Sequence, residues 1–237
     1  IEAFLQLEKL NTKIYKIGSG EVNNHLLIDY IAKTKKNIIL SSGLSSLSEL
    51  NETVKIISKY HKNYSILQCT TKYPTKPKEI YLKNIIRLKE YFKCKVGLSD
   101  HSGLIFPSLG AVSLGANIIE FHVSFSKEMF GPDSIASLTI NEAKKLVEGI
   151  RILEDCLLES NKKEKTDDFV KNKKTFNKSL TLNKNKKRNS IIKVFDLETT
   201  KPSGLGIAPK YYKKIINKKL KKDKKKFDFL NYKDVYE

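Results

Sequence analysis

A chain of 237 residues with 40% hydrophobic and 9% aromatic content is long enough for one large domain or two small ones, and too apolar for a disordered tail. Three cysteines (Cys69, Cys94, Cys156) without a CxxC spacing exclude a disulfide scaffold and a zinc ribbon, and no apolar run approaches the ~18 to 20 residues of a membrane-spanning helix. The expectation is a soluble, cytoplasmic protein. The net charge of +19 is lopsided, with 21 basic and 17 acidic groups in residues 1–160 against 24 and 9 in residues 161–237.

In chain order, short apolar runs at 14–17, 38–40, 66–69, 96–98 and 118–122 recur at the spacing of βα units, about 22 to 30 residues, which pair their strands in parallel. The segments between them carry helix signals. Ser46-Leu-Ser-Glu49 reads as a capping box opening a stripe of Leu47, Leu50, Val54 and Ile57. Pro77 suits the first turn of a helix carrying Leu82, Ile85, Ile86 and Leu88. Thr139-Ile-Asn-Glu142 is a second box, followed by Ala143, Leu146, Val147, Ile150 and Leu153 on one face. Five βα units predict an α/β fold, either an open sheet or part of a barrel, over residues 1–160. Residues 161–174 are almost wholly polar and read as a linker. Beyond them, 175–237 predict a small second domain with short strands at 179–182 and 191–195 and a Pro/Gly loop at 201–209. Its lysines are accompanied by few arginines: Arg87, Arg151 and Arg188 are the only three among 45 basic residues of the chain. Arginine is the preferred group for bidentate phosphate and base contacts, so the basic tail reads as a solvated surface before a nucleic-acid site.

Polar residues gather where the apolar runs end: Ser19 and Glu21, Ser41 to Gly43, Thr70 to Tyr73, Ser99 to His101, then Glu120 and His122. Parallel α/β folds bind ligands at the carboxyl ends of their strands, so five such clusters point to one site. His101 and His122 at adjacent strand ends read either as two ligands of one metal with open positions, or as one buried and one inward-pointing imidazole. His25 and His61 are expected at the surface. Lys16, inside an apolar run, reads either as an anion ligand with Ser19, Ser41 and Ser99, or as a side chain snorkelling from an edge strand.

The segments YKIGSGEVNN, IILSSG, LQCTTKYP, VGLSDHSG, IIEFHVSF and MFGPDSIASLT, in this order, resemble the sialic acid (N-acetylneuraminate) synthase family, and the later KPSGLGIAP resembles its small antifreeze-like (SAF) domain. The resemblance implies a (β/α)8 TIM barrel of which this chain holds strands 4–8, followed by the SAF domain. It also implies a transferase of carbohydrate biosynthesis that condenses phosphoenolpyruvate with N-acetylmannosamine and releases phosphate, using Mn²⁺ or Mg²⁺, as a homodimer. A 2,4-diamino sugar, giving legionaminic or pseudaminic acid, is the alternative acceptor, and a non-catalytic basic remnant that binds nucleic acid is the alternative in another class. Carried over residue by residue, His101 and His122 would hold the metal. Lys16, Ser19, Ser41, Thr71 and Ser99 would hold phosphoenolpyruvate, Glu21 would be the acid/base group, and Tyr73 and Asp133 would contact the sugar. The chain departs from the family at Gln68 and Thr71, where His and Asn are frequent, and at Lys201-Pro202-Ser203-Gly204, where an Arg-Pro-Gly loop is usual. With three of eight strands absent, residues 1–237 alone are expected to be inactive.

Overall fold

The computed structural model describes residues 1–158 and 167–236. They form two compact units, the first Ile1–Leu158 and the second, among the described residues, 167–236.

The first unit begins with helix α1 (Glu2–Lys9), which carries no sequence signal in the expectations above, and then alternates strand and helix: β1 (Ile14–Ile17), α2 (His25–Lys33), β2 (Asn37–Ser41), α3 (Leu47–Ser58), β3 (Tyr64–Cys69), α4 (Asn84–Phe92), β4 (Lys95–Asp100), α5 (Phe106–Ser113) and β5 (Ile118–Phe121). The five strands pair in parallel in the order β1-β2-β3-β4-β5, each at one of the five apolar runs. Their outward residues, such as Tyr15, Ile38, Leu40, Ile66, Val96 and Leu98, pack with Ile28, Leu50, Ile57, Ile85 and Leu88 of the helices into one core. Both capping boxes form: Glu49 N–H donates to Ser46 Oγ and Glu142 N–H to Thr139 Oγ1, while each Glu carboxylate accepts from the cap's backbone N–H.

Two expectations in this unit need correcting. Pro77 opens only a short 3₁₀ turn (Pro77–Glu79), and α4 starts at Asn84 after Tyr81 takes a left-handed φ of 53°; Ile86 is exposed and not part of the buried stripe. The last helix, α6 (Ile140–Cys156), follows a two-residue parallel pair, β6 (Val123–Ser124) with β7 (Leu138–Thr139), and buries only Leu146. Beyond β5 no further strand of the described residues continues the sheet, so much of the apolar face of α6 lacks a surface to cover it.

The second unit opens with α7 (Asp167–Phe176), so the later part of the expected 161–174 linker is helical, with Asp167 and Asp168 at its positive end and Lys173 and Lys174 at its negative end. The earlier part, 161–166, lies outside the described residues. Strand β8 (Ser179–Leu182) forms as expected and pairs antiparallel with β9 (Leu197–Thr200). The run at 191–195 is not a strand: Ile191 makes a single bridge to Lys219, and Val194–Asp196 is a 3₁₀ turn.

An internal two-fold correspondence organises this unit. Lys186 and Lys224 exchange backbone N–H···O bonds of 2.8 Å in both directions. Around that pair several contacts have counterparts at a constant offset along the chain. Arg188 N–H donates to Asp223 Oδ1 and Lys226 N–H to Asn185 Oδ1, both at 2.8 Å. Asn189 N–H donates to the Leu220 carbonyl and Phe227 N–H to that of Leu182, at 2.8 and 2.7 Å. At the two extremes, Asp196 and Asp234 are each 1% exposed and each accept a backbone N–H, from Lys193 and Asn231 respectively. Each is also paired with two lysines, Lys184 and Lys186 on Asp196, Lys222 and Lys224 on Asp234. Leu180, Leu182, Ile192, Ile215, Leu220 and Leu230 fill the core between them.

Candidate active site

Pairing register decides which side chains share the concave face of the sheet. Lys16 lies beside Ile39, Ser41 beside Leu67, and Ser99 beside both Cys69 and Glu120. Lys16 and Glu120 belong to the two outermost strands, yet Lys16 Nζ is 3.1 Å from Glu120 Oε1. In a flat sheet, four spacings of ~4.8 Å would hold those strands roughly 19 Å apart, beyond the reach of the two side chains. The sheet is therefore curled, a half-barrel with its polar groups on the inside. Ser99 Oγ donates to the same Glu120 oxygen at 2.7 Å. Glu120 was visible in the sequence only as a polar strand end; the structure makes it the carboxylate that joins Lys16 to Ser99.

Cys69 is the second hub, and the sequence reading assigned it no role. Its buried thiol takes a hydrogen bond from Ser19 Oγ (3.5 Å) and interacts with His101 and Ser99. Burial would push the thiol up, but the hydrogen bonds of His101 and Ser19 and the imidazole's charge outweigh it and hold Cys69 below the usual thiol range. For His101, burial favours the neutral ring, while the bond to Cys69 and its charge prevail and raise the imidazole. Ser19 in turn accepts from Gly43 N–H at 3.1 Å. Position 43 requires glycine because a Cβ there would fall 2.3 Å from Thr71 Oγ1, 2.8 Å from Ser19 Oγ and 2.9 Å from Cys69 Sγ.

The two histidines converge. Their ring centroids are 5.2 Å apart, with the Tyr73 ring 4.3 Å from His101 and 5.8 Å from His122. His101 Nδ1 lies 3.1 Å from the Thr70 carbonyl, which can only accept, so Nδ1 carries a proton; in the neutral ring Nε2, 3.2 Å from Tyr73 Oη, then holds the lone pair. Burial, then the neighbouring charges of Cys69, Asp133 and Glu120, raise the Tyr73 phenol, which stays a donor at neutral pH. His122 Nδ1 is 3.6 Å from Asp133 Oδ2. Asp100, which precedes His101, is structural: its carboxylate accepts from Ser102 N–H at 2.9 Å and sets the turn after β4.

The structure thus links Lys16, Ser19, Tyr73, Ser99, His101, His122 and Asp133 with Glu120 and Cys69, and brings Thr71 close to Gly43 at the edge of the same cluster. Ser41 stands on the same face, 1% exposed, with its Oγ lacking any hydrogen-bond partner. Glu21 is the exception. Its carboxylate accepts from Asn24 Nδ2 at 2.7 Å and, among the described residues, joins none of these groups. His25 and His61, expected at the surface, are half-buried with their Nε2 atoms shielded from solvent.

Among the described residues no three His, Cys, Asp or Glu side chains form a closed metal cage. His101 has Nδ1 fixed by the Thr70 carbonyl and Nε2 beside Tyr73 Oη, and His122 has Nδ1 facing Asp133; outer contacts of this kind orient the imidazole ligands of an open site. The residues fit a divalent ion held by His101 and His122. No described helix is long and apolar enough to cross a membrane.

Together, a curled parallel sheet and a polar cleft at the carboxyl ends of its strands define an α/β half-barrel of the ligand-binding kind. The chain belongs to the NeuB family, whose sequence profile matches residues 1–163. It is 38% identical to the N,N'-diacetyllegionaminic acid synthase of Campylobacter jejuni, over 92% of this chain and 66% of that protein. It is 36% identical to the pseudaminic acid synthase of the same species, over 96% and 66%. The chain therefore spans just under two thirds of the length of these relatives. Its structure resembles the sialic acid synthetase of Leptospira borgpetersenii with a TM-score of 0.67 and 30% identity, over 73% of this chain and 60% of that one.

Proposed function

We propose that this chain carries the phosphoenolpyruvate and metal half of a nonulosonate synthase, an enzyme that condenses phosphoenolpyruvate with an N-acetylated amino sugar. The observation that supports this most is the convergence of His101, His122, Tyr73 and Asp133 beside the Lys16–Glu120–Ser99 cluster. In this reading Lys16 supplies positive charge to the anionic substrate, and the hydroxyls of Ser19, Ser41, Thr71 and Ser99 donate to its phosphate and carboxylate oxygens. The unpartnered Ser41 Oγ is a donor waiting for such an acceptor. Glu120 releases Lys16 to the substrate and keeps Ser99 in place. Tyr73 and Asp133 orient the sugar's aldehyde end next to the two imidazoles.

The reaction joins the methylene carbon of phosphoenolpyruvate to the aldehyde carbon. Water supplies a hydroxyl to the carbon bearing phosphate and a proton to the new alkoxide; that hydroxyl's proton leaves with the phosphate as the C–O bond breaks and the ketone forms. A Mn²⁺ or Mg²⁺ ion on His101 and His122 would supply polarisation of an oxygen of the reacting groups. Glu21, at the rim, is the proposed proton carrier and would have to leave Asn24 to act.

The name of the N,N'-diacetyllegionaminic acid synthase, at 38% identity, favours an acceptor with two acetamido groups over N-acetylmannosamine. The same reading carries an antifreeze-like identity for the second unit and a homodimer, which sedimentation would test. Phosphate release from phosphoenolpyruvate with Mn²⁺, measured with a 2,4-diacetamido sugar and with N-acetylmannosamine on the protein from its complete reading frame, tests the function. Turnover with the diacetamido sugar that is lost in H101A/H122A is expected; metal-dependent turnover retained in that variant contradicts it. Residues 1–237 alone, with a cleft open to water, are expected to give none, because transition-state stabilisation needs donors fixed in a water-poor site. Turnover within about tenfold of a full-length relative would contradict that expectation.

A further inference from the structure

Lys127 touches none of the candidate substrate or metal groups, yet it ties its own loop to the turn after His101 and to the start of α6. It lies in the loop between His122 and Asp133. Its Nζ donates to the Gly103 carbonyl at 2.8 Å, in the turn that follows His101, and to Glu142 Oε1 at 2.9 Å, in the first turn of α6. The other Glu142 oxygen is committed to the Thr139 N–H at 2.8 Å, so the ammonium's anchor is itself fixed. The two surfaces it joins meet closely. Gly103 sits at φ +68°, and a Cβ there would be 2.6 Å from the Ile135 carbonyl. Asp133 is held within the same loop by Ser137 Oγ on its carbonyl (2.8 Å), and the loop is closed at its base by Leu138 N–H on the His122 carbonyl (2.8 Å).

The loop between β6 and β7 has few buried apolar residues to fix it against the β4–α5 turn, and Met129, Phe130 and Ile135 are exposed. A point charge donating to a carbonyl on one side and a carboxylate on the other does that work in their place. We infer that Lys127 is a positioning residue that sets the spacing of His101 and His122 and thereby the affinity of the site for a divalent ion. This rests on the two-histidine reading above.

The test is Mn²⁺ binding by isothermal titration to the wild-type chain, K127M and K127R, with thermal melts of each. The expected result is Mn²⁺ affinity at least about tenfold weaker in K127M, the low end of what outer residues around a metal site contribute. The melt should move little, and K127R, which can still donate to both partners, should stay within about threefold of wild type. Equal Mn²⁺ affinity in wild type and K127M overturns the inference and leaves the two-histidine reading standing. A wild-type chain that binds no Mn²⁺ overturns both. If K127M does not fold, E142Q carries the same test: it keeps an acceptor for the α6 cap but loses the charge that holds Lys127. Unchanged Mn²⁺ affinity in E142Q then counts against the inference.

Discussion

The two units treat buried charge in opposite ways. In the second, Asp196 and Asp234 are closed off, each with two lysines and a backbone N–H on its carboxylate and almost no exposure. In the first, Glu120 shares one oxygen between Lys16 and Ser99, both it and Lys16 remain about one-third exposed, and Ser41 nearby has no partner at all. A buried carboxylate held by two lysines and a backbone N–H is neutralised within its own unit and acts on the fold. A cluster whose donors are under-used and open to solvent is prepared to exchange them, which is what a binding site requires.

The largest expected effect follows from breaking a closed cluster. Asp234→Ala leaves Lys224, itself nearly buried, without its counter-charge, and should destabilise the second unit by about 3–5 kcal/mol. Chemical denaturation followed by fluorescence of the tyrosines measures it; a loss below ~1 kcal/mol would show the cluster to be a surface pair. Gly43→Ala should cost about 1–3 kcal/mol, since the new methyl collides with Ser19, Cys69 and Thr71 at once. The same melt of the first unit reads this out, and an unchanged midpoint would mean the cleft wall yields freely.

Acid tests the closed clusters of the second unit next. The lysines on Asp196 hold its carboxyl at about 2 despite burial, below its ordinary 3.8, and Asp234 is lowered in the same direction. A carboxyl depressed in the folded state stabilises fully above its unfolded pKa, and that stabilisation is lost as pH falls from about 3.8 through about 2. For Asp196 this amounts to about 2 kcal/mol. Urea unfolding at pH 7, 4 and 2 should show the loss of stability concentrated in the last interval. The smallest effect belongs to Ser41→Ala. Removing a buried hydroxyl with no partner should change stability by less than ~0.5 kcal/mol or raise it slightly, whereas Ser99→Ala, which removes the hydrogen bond that Ser99 donates to Glu120, should cost about 1 kcal/mol. The reverse order would mean that Ser41 is structural.

Much of the first unit was legible because its signals are local. Apolar runs mark the strands, and a Ser or Thr three residues before a Glu marks the starts of α3 and α6, each decided by residues within one turn. Pro77 misled because proline suits a 3₁₀ turn as well as an α-helical start, and Tyr81 then reverses the chain before α4. The roles of Cys69 and Glu120 were hidden because they depend on the register and curl of the sheet, which bring the outer strands face to face. In the second unit, Lys184-Asn-Lys186 with Asp196 and Lys222-Asp-Lys224 with Asp234 carry the internal correspondence in plain sequence, but the surrounding lysines mask it as composition. Asp196 binds β-region backbone and side chains rather than an apolar core, so no hydrophobic period could announce it. The run at 191–195 looked like a strand for the opposite reason: Ile192 is apolar because it fills the core, while its neighbours lack a continuous partner strand.

In the proposed function His101 and His122 form the open metal end of a phosphoenolpyruvate cleft. Crystals of the chain soaked with Mn²⁺ and measured for anomalous scattering at the manganese edge test it most directly. The expected result is one peak within bonding distance of both imidazole rings, next to Tyr73 and Asp133 and absent from H101A/H122A. A manganese peak bound elsewhere, with none between the two rings, would contradict it.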